Sequence, residues 1–276
     1  VRAYLAEFLS DPRVVELPRW LWLPLLHGVV LRRRPAQSAE KYAKVWTPEG
    51  SPLAVHTARQ AQLLREATGL PVEYAMRYGE PSIGAALRRL PGRVRVIPLY
   101  PQYARSTTES VRDVVGRDAD FVEQFHDHPA YIDALAGLVT ERPEMLVMSF
   151  HGLPQRAVNR GDPYRHQCLR TAELLAQTLR LQPPQYRVTF QSRFGPARWL
   201  QPYTSGVLAG LGAARVGRVD VICPGFVADC LETLEEIAIE GERTFVEAGG
   251  GEFRALPCLN ESPRWIAALR EIALGR

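Results

Sequence analysis

Short apolar segments alternating with longer helical ones constrain this chain more than any other feature. Residues 94–100 (VRVIPLY), 144–150 (EMLVMSF), 186–191 (YRVTFQ) and 219–223 (VDVIC) read as strands with little polar alternation. A strand that is apolar on both faces belongs in a parallel sheet covered on both sides. Residues 71–76 and 254–257 add two shorter candidates. Between them, the spacing of apolar residues predicts helices over 52–68, 80–90, 106–125, 129–139, 163–181, 204–214, 228–248 and 263–274. The expected fold class is α/β: two Rossmann-like domains, each a parallel sheet flanked by helices. The break at His126-Asp127-His128-Pro129 sets the boundary, with an N-terminal domain over 1–127 and a C-terminal one over 128–261. The terminal helix, within 262–276, is expected to pack back on the first domain.

Of the 276 residues, 46% are hydrophobic and 23% charged, which excludes a disordered chain. The net charge is +4, and the 34 basic residues, of which only Lys41 and Lys44 are lysines, are interleaved with 30 acids. Without a basic patch, no nucleic-acid partner is expected. Cys168, Cys223, Cys230 and Cys258 form no C-x-x-C, so neither a zinc knuckle nor a disulfide framework is indicated, and a reduced cytoplasmic chain is expected. No nucleotide-binding signature is present; Gly249-Gly250-Gly251 follows a helix and reads as its stop. Asn260-Glu261-Ser262 fits a glycosylation sequon by chance. Residues 17–31 (LPRWLWLPLLHGVVL) form an apolar run closed by Arg32, Arg33 and Arg34. It is too short to span a bilayer, and Pro24 interrupts it. Trp20 and Trp22 beside a basic cluster would suit a membrane interface. From the segment alone we favour a helix pair packed in the core with its arginines in water.

In open parallel sheets, ligands bind beyond the carboxyl ends of the strands. His151 directly follows the strand at 144–150, where its imidazole can accept or release a proton near neutral pH. A lone histidine there more often caps a turn. Gln191-Ser192-Arg193-Phe194-Gly195-Pro196 with Trp199 ends another strand, and Pro101-Gln102-Tyr103 a third, followed by Ser106, Thr107 and Thr108 as candidate helix caps. Both pair aromatics with hydrogen-bonding groups, which suits a flat, partly apolar ligand. Asp229, Glu232, Glu236 and Glu240 step by three, four and four, so on an α-helix they share one face. Capping and the helix dipole account for Asp229 but not for Glu236 and Glu240. The row is either a solvated acidic face or a track that attracts a divalent cation and hands it along.

Taken in order, Ser149-Phe150-His151-Gly152-Leu153-Pro154, Arg160-Gly161-Asp162-Pro163-Tyr164, Gln191-Ser192-Arg193-Phe194-Gly195-Pro196, Pro224-Gly225-Phe226 and Asp229-Cys230-Leu231-Glu232-Thr233-Leu234-Glu235-Glu236 closely resemble the ferrochelatase family. Leu9-Ser10-Asp11-Pro12-Arg13-Val14, Gly50-Ser51-Pro52-Leu53, Met76-Arg77-Tyr78-Gly79 and Tyr100-Pro101-Gln102-Tyr103 extend the match over essentially the whole chain. The resemblance implies two chelatase domains with a porphyrin cleft between them. It also implies insertion of Fe²⁺ into protoporphyrin IX to give protohaem and two protons, the last step of haem synthesis. Fe²⁺ is then a substrate and no cofactor is required. By the same matching, His151 and Glu232 are the catalytic and metal-contacting pair on opposite sides of the macrocycle. Asp229 and Glu236 are metal-delivery residues, and Arg77, Tyr103, Ser106 and Trp199 bind the porphyrin. The leading assignment makes His151 the acceptor of pyrrole protons and brings metal from the Glu232 side; the reverse stands beside it. Residues 17–34 resemble an apolar lip that rests on the membrane in some relatives, so peripheral membrane contact of a cytoplasmic protein joins the expectations. Alternatives are a coproporphyrin ferrochelatase, another tetrapyrrole metal chelatase or, in a different class, a non-catalytic tetrapyrrole-binding protein. The His151–Glu232 pair argues against the last, because holding a flat ring needs neither a base nor a metal track.

Three departures from the family pattern matter. Cys230 stands where many relatives have a second histidine, and a buried, inert thiol is the expected reading. Some relatives hold a [2Fe–2S] cluster partly through cysteines in a C-terminal extension; the sequence ends at Arg276, so no Fe–S cluster is expected. The family opens with a strand leading into an Asn-Leu-Gly turn, which does not precede Val1. Either the sequence is incomplete, or the N-terminal domain lacks an interior strand and is compromised in folding and activity.

Overall fold

The structure is a computed structural model that describes residues 1–116 and 119–275. Its residues group into two compact units, 1–98 with 104–123, and 99–103 with 124 onward. The second unit thus takes the short segment 99–103 from within the range of the first.

The first unit contains α1 (Arg2–Ser10), α2 (Arg19–Leu25), a π-turn (Leu26–Val30), α3 (Leu31–Val45), α4 (Pro52–Thr68), α5 (Ile83–Arg89), β1 (Arg95–Val96), a second π-turn (Arg105–Glu109), α6 (Ser110–Val115) and β2 (Asp120–Phe121). α4 has the expected limits for local reasons. The Ser51 side chain accepts from the Ala54 amide, Pro52 stands at the first helical position, and Gly69 closes the helix in the left-handed conformation. β1 and β2 pair in parallel, Arg95 opposite Asp120 and Val96 opposite Phe121. Residues 71–76 form no strand; Met76 makes one isolated bridge with Ser82. An apolar run becomes a strand only where a partner edge receives it. The helix expected over 106–125 stops at Val115, and residues 117 and 118 lie outside the described residues. Ser106, Thr107 and Thr108 do not cap it: the helical turn begins at Arg105, after Ala104.

The apolar run at 17–31 only half fits its core reading. Leu26 and Leu31 are buried with Leu5 and Leu9, and the Trp22 indole N–H donates to the Leu9 carbonyl at 2.6 Å. Leu17, Trp20, Leu21, Leu25 and Val29 remain exposed, Trp20 at 76%. No helix among the described residues is long and apolar enough to cross a membrane.

The second unit contains α7 (Pro129–Ala136), β3 (Met145–His151), α8 (Gln155–Asn159), α9 (Tyr164–Thr178), β4 (Tyr186–Gln191), α10 (Thr204–Ala213), β5 (Arg218–Ile222), a long π-helix (Glu232–Gly241), α11 (Glu242–Glu247), β6 (Glu252–Ala255) and α12 (Pro263–Leu274). The four strands lie in the order β4-β3-β5-β6, all parallel. β3 is central and its interior is fully buried. On one face Val147, Val219 and Val221 pack against Leu208, Ile237 and Phe245 from α10, the π-helix and α11. Elsewhere α7 packs against both α9 and α12. The terminal helix, expected to pack on the domain over 1–127, groups with the second unit. Trp265 of α12 sits in an aromatic cluster with Phe125 and Tyr131, its ring centroid 5.8 and 6.2 Å from theirs, and that burial holds α12 in the second unit.

Candidate active site

β3 delivers His151 to the carboxyl end of the sheet, in register with Gln191 of β4. Side chains alternate along a strand, so His151 shares the face of Val147 and Ser149, the face covered by α10 and the π-helix. The Tyr164 hydroxyl donates to the His151 carbonyl at 2.9 Å, while Asp162 accepts from the Tyr164 amide at 3.0 Å as α9 begins. His151 Nδ1 lies 2.7 Å from the Gly152 carbonyl oxygen. A carbonyl can only accept, so Nδ1 carries the proton; in the neutral ring Nε2 then keeps its lone pair. The fold thus sets the tautomer and presents a proton acceptor. Gly152 is required here for closeness: a Cβ would stand 2.6 Å from the Gln191 carbonyl and 3.1 Å from the Trp199 ring. Phe226 flanks the imidazole, with ring centroids 6.3 Å apart.

Glu232 opens the π-helix and is half-buried. The helix is fastened to the end of β4 at two points. The Gln191 amide Nε2–H donates to the Glu232 carbonyl at 2.8 Å. The Ser192 backbone N–H donates to Glu236 at 2.7 Å, and the Ser192 hydroxyl donates to the other Glu236 oxygen. Ser192 adopts φ of 62°, a left-handed conformation costly for a residue with a side chain, and these two bonds hold it there. The expected α-helical row of four carboxylates is corrected on two counts. Asp229 lies before the helix, and the helix closes its rings one residue later than an α-helix does. Asp229 is buried and accepts from the Thr233 hydroxyl at 2.9 Å, the Cys258 amide at 3.3 Å and the Asn260 side chain at 2.6 Å; Asn260 in turn accepts from the Asp229 amide at 2.9 Å. Asn260, which the sequence suggests only as a chance sequon, is thus the partner that fixes this turn. Cys230 is buried, and that burial, joined by the Glu232 charge, pushes its thiol well above the usual range, so it stays protonated at neutral pH. Among the described residues no cage of three or more His, Cys, Asp or Glu side chains is arranged to hold a metal ion.

The residues matched to porphyrin binding fall in different settings. Tyr103 belongs to the second unit; it is half-buried, and its amide donates to Gln167 at 2.6 Å. Trp199 also belongs there but is only 4% exposed, with its indole N–H on the Phe194 carbonyl at 2.9 Å and its ring 4.9 Å from that of Phe194. It supports the loop after β4 from beneath and leaves Phe194 as the exposed aromatic. Arg77 and Ser106 lie in the first unit. Ser106 is half-buried in the second π-turn. Arg77 pairs with Asp11 at 2.7 Å and donates through Nε to the Ser110 hydroxyl and carbonyl at 2.7 and 2.9 Å. Gln191, which the sequence offers only as the first residue of a strand-end motif, stands in register with His151 and bonds to the π-helix.

A helix-covered parallel sheet with its polar side chains gathered at the carboxyl ends is the architecture of the chelatases. SirB from Bacillus subtilis, described with Fe³⁺, matches with a TM-score of 0.56 and 13% identity, over 79% of this chain and 88% of that one. Identity that low carries the fold alone. Sequence carries the rest. The ferrochelatase family model matches residues 1–276. The ferrochelatase of Azoarcus sp. (strain BH72) is 55% identical over 98% of this chain and 80% of its own length, and that of Aromatoleum aromaticum 53% over 100% and 82%. The chain belongs to the ferrochelatase family, enzymes that insert a metal into a porphyrin in haem biosynthesis.

Proposed function

We propose that this chain inserts Fe²⁺ into protoporphyrin IX, forming protohaem and releasing two protons. The observation that carries the reading is the fixed tautomer of His151, which leaves Nε2 as a proton acceptor at the sheet's carboxyl end. A porphyrin has four inward nitrogens, two of them protonated, so metal enters only as those protons leave. His151 accepts them in turn and passes them to water, and four metal–nitrogen bonds replace two N–H bonds without any change of oxidation state. Apolar and aromatic contacts that bend the ring toward the metal-bound shape contribute up to about 5 kcal/mol. Glu232 takes the metal-side role, its oxygens replacing water on the incoming cation. Asp229 and Glu236, matched to metal delivery, act in this proposal through the hydrogen bonds that hold the π-helix. Within the second unit Tyr103 meets the ring, and Trp199 braces the loop that carries Phe194.

The exposed band Leu17, Trp20, Leu21, Leu25 and Val29, followed by Arg32, Arg33 and Arg34, forms the surface for peripheral contact with an anionic membrane. Anaerobic insertion of Fe²⁺ and Zn²⁺ into protoporphyrin IX and coproporphyrin, followed by absorbance, tests the substrate. Faster turnover of protoporphyrin IX with Fe²⁺ is expected; a preference for coproporphyrin, or ring binding without insertion, contradicts the proposal.

A further inference from the structure

The geometry points to Gln191 as a positioning residue that sets where Glu232 stands relative to His151. This rests on the proposed function and deepens it. Gln191 is buried, and its amide is used on both sides. Oε1 accepts from the Ser149 hydroxyl at 2.6 Å, and Nε2 donates to the Glu232 carbonyl at 2.8 Å. Ser149 is itself linked at 2.8 Å to Thr204, and Thr204 at 2.9 Å to Thr189. A buried hydroxyl chain on β3, β4 and α10 therefore ends on a side chain that holds the backbone of the first residue of the π-helix. Because Ser149 lies two residues before His151 on β3, and Gln191 is directly opposite His151 on β4, the amide ties the base-bearing strand to the carboxylate-bearing helix within a few bonds. An amide is the side chain this place requires, since one oxygen must accept from Ser149 while one N–H donates to a carbonyl. The Ser192–Glu236 bonds then fix the next turn of the helix, so the Gln191 bond decides the height of Glu232 and not merely the presence of the helix.

Two variants of the full chain test this. In Gln191→Leu both bonds are lost, and kcat for Fe²⁺ insertion is expected to fall at least about tenfold at every pH, with porphyrin KM within about twofold of wild type. In Gln191→Glu a protonated carboxyl can still donate to the Glu232 carbonyl, whereas an ionised one repels it. Its kcat should approach wild type in acid and fall as pH rises, so that the alkaline limb of the profile moves to lower pH. A merely structural residue would lower the melting temperature without moving that limb. Should Gln191→Leu fail to fold, the isosteric Gln191→Glu still reads the effect. Folded variants with wild-type kcat, metal KM and pH profile overturn the role assigned to Gln191. A wild-type chain that inserts no metal overturns the proposed function instead. In that case amide exchange over 232–236 still reads the positioning: faster exchange in Gln191→Leu supports it, and unchanged exchange removes it.

Discussion

Asp11 gathers more hydrogen bonds than its position near a helix end would suggest. Its Oδ2 accepts from Arg77 at 2.7 Å, the Tyr78 hydroxyl at 2.8 Å and the Ser110 hydroxyl at 2.5 Å, while Oδ1 accepts from the Arg13 amide at 2.7 Å. Burial pushes the carboxyl up, but the bonds from Ser110, the Arg13 amide and Tyr78 and the Arg77 charge outweigh it, and the net result lies below the usual carboxylate range. A carboxylate whose folded pKa is depressed stabilises the fold above its unfolded value of 3.8, and that contribution is lost as pH falls through the folded value. Asp11→Asn should therefore destabilise the first unit by about 3 kcal/mol at neutral pH in denaturant melts. The gap to wild type should close in acid; a gap under about 0.5 kcal/mol, or one independent of pH, would show that the network is idle. Arg77 and Trp199 are held by their neighbours too, Arg77 by Asp11 and Ser110 and Trp199 by Phe194.

At the scale of elements, β3 is legible because an apolar strand covered on both faces carries its burial in every interior residue, and α4 because Ser51, Pro52 and Gly69 mark its ends. The long π-helix is not. Its apolar spacing resembles an α-helix, and the extra residue in each ring is held by Gln191 and Ser192, roughly forty residues away in sequence. Residues 71–76 failed for the opposite reason, since their alternation finds no strand to pair with. α2 is amphipathic in a way its near-continuous apolar sequence conceals: Trp22 turns inward while Trp20 and Leu21 face out. If that outer face meets a membrane, Trp20→Ala with Leu21→Ser should weaken sedimentation with anionic vesicles by at least about tenfold. Added salt should weaken the wild-type interaction as well. Equal binding of wild type and variant to vesicles would remove this face from membrane contact.

Across the whole molecule, the fold and the chemistry are carried by different parts of the sequence. SirB shares the architecture at 13% identity, so the sheet tolerates almost complete replacement of its residues. The ordered motifs at strand ends carry the family, and by those motifs His151 and Glu232 stand as its candidate site residues. The partners of Gln191, Ser192 and Asn260 are not legible in the sequence, because hydrogen bonds between distant segments leave no local period. The division into units shows the same limit: the aromatic cluster of Phe125, Tyr131 and Trp265 assigns α12 to the second unit, which no helical pattern reveals. The proposed transfer of porphyrin protons to His151 is tested most directly by single-turnover insertion of Fe²⁺ into bound protoporphyrin IX, comparing wild type with His151→Ala and following porphyrin binding by fluorescence. A rate about 10²–10⁴-fold lower with binding retained is expected; a rate within about threefold of wild type would rule out His151 as the acceptor.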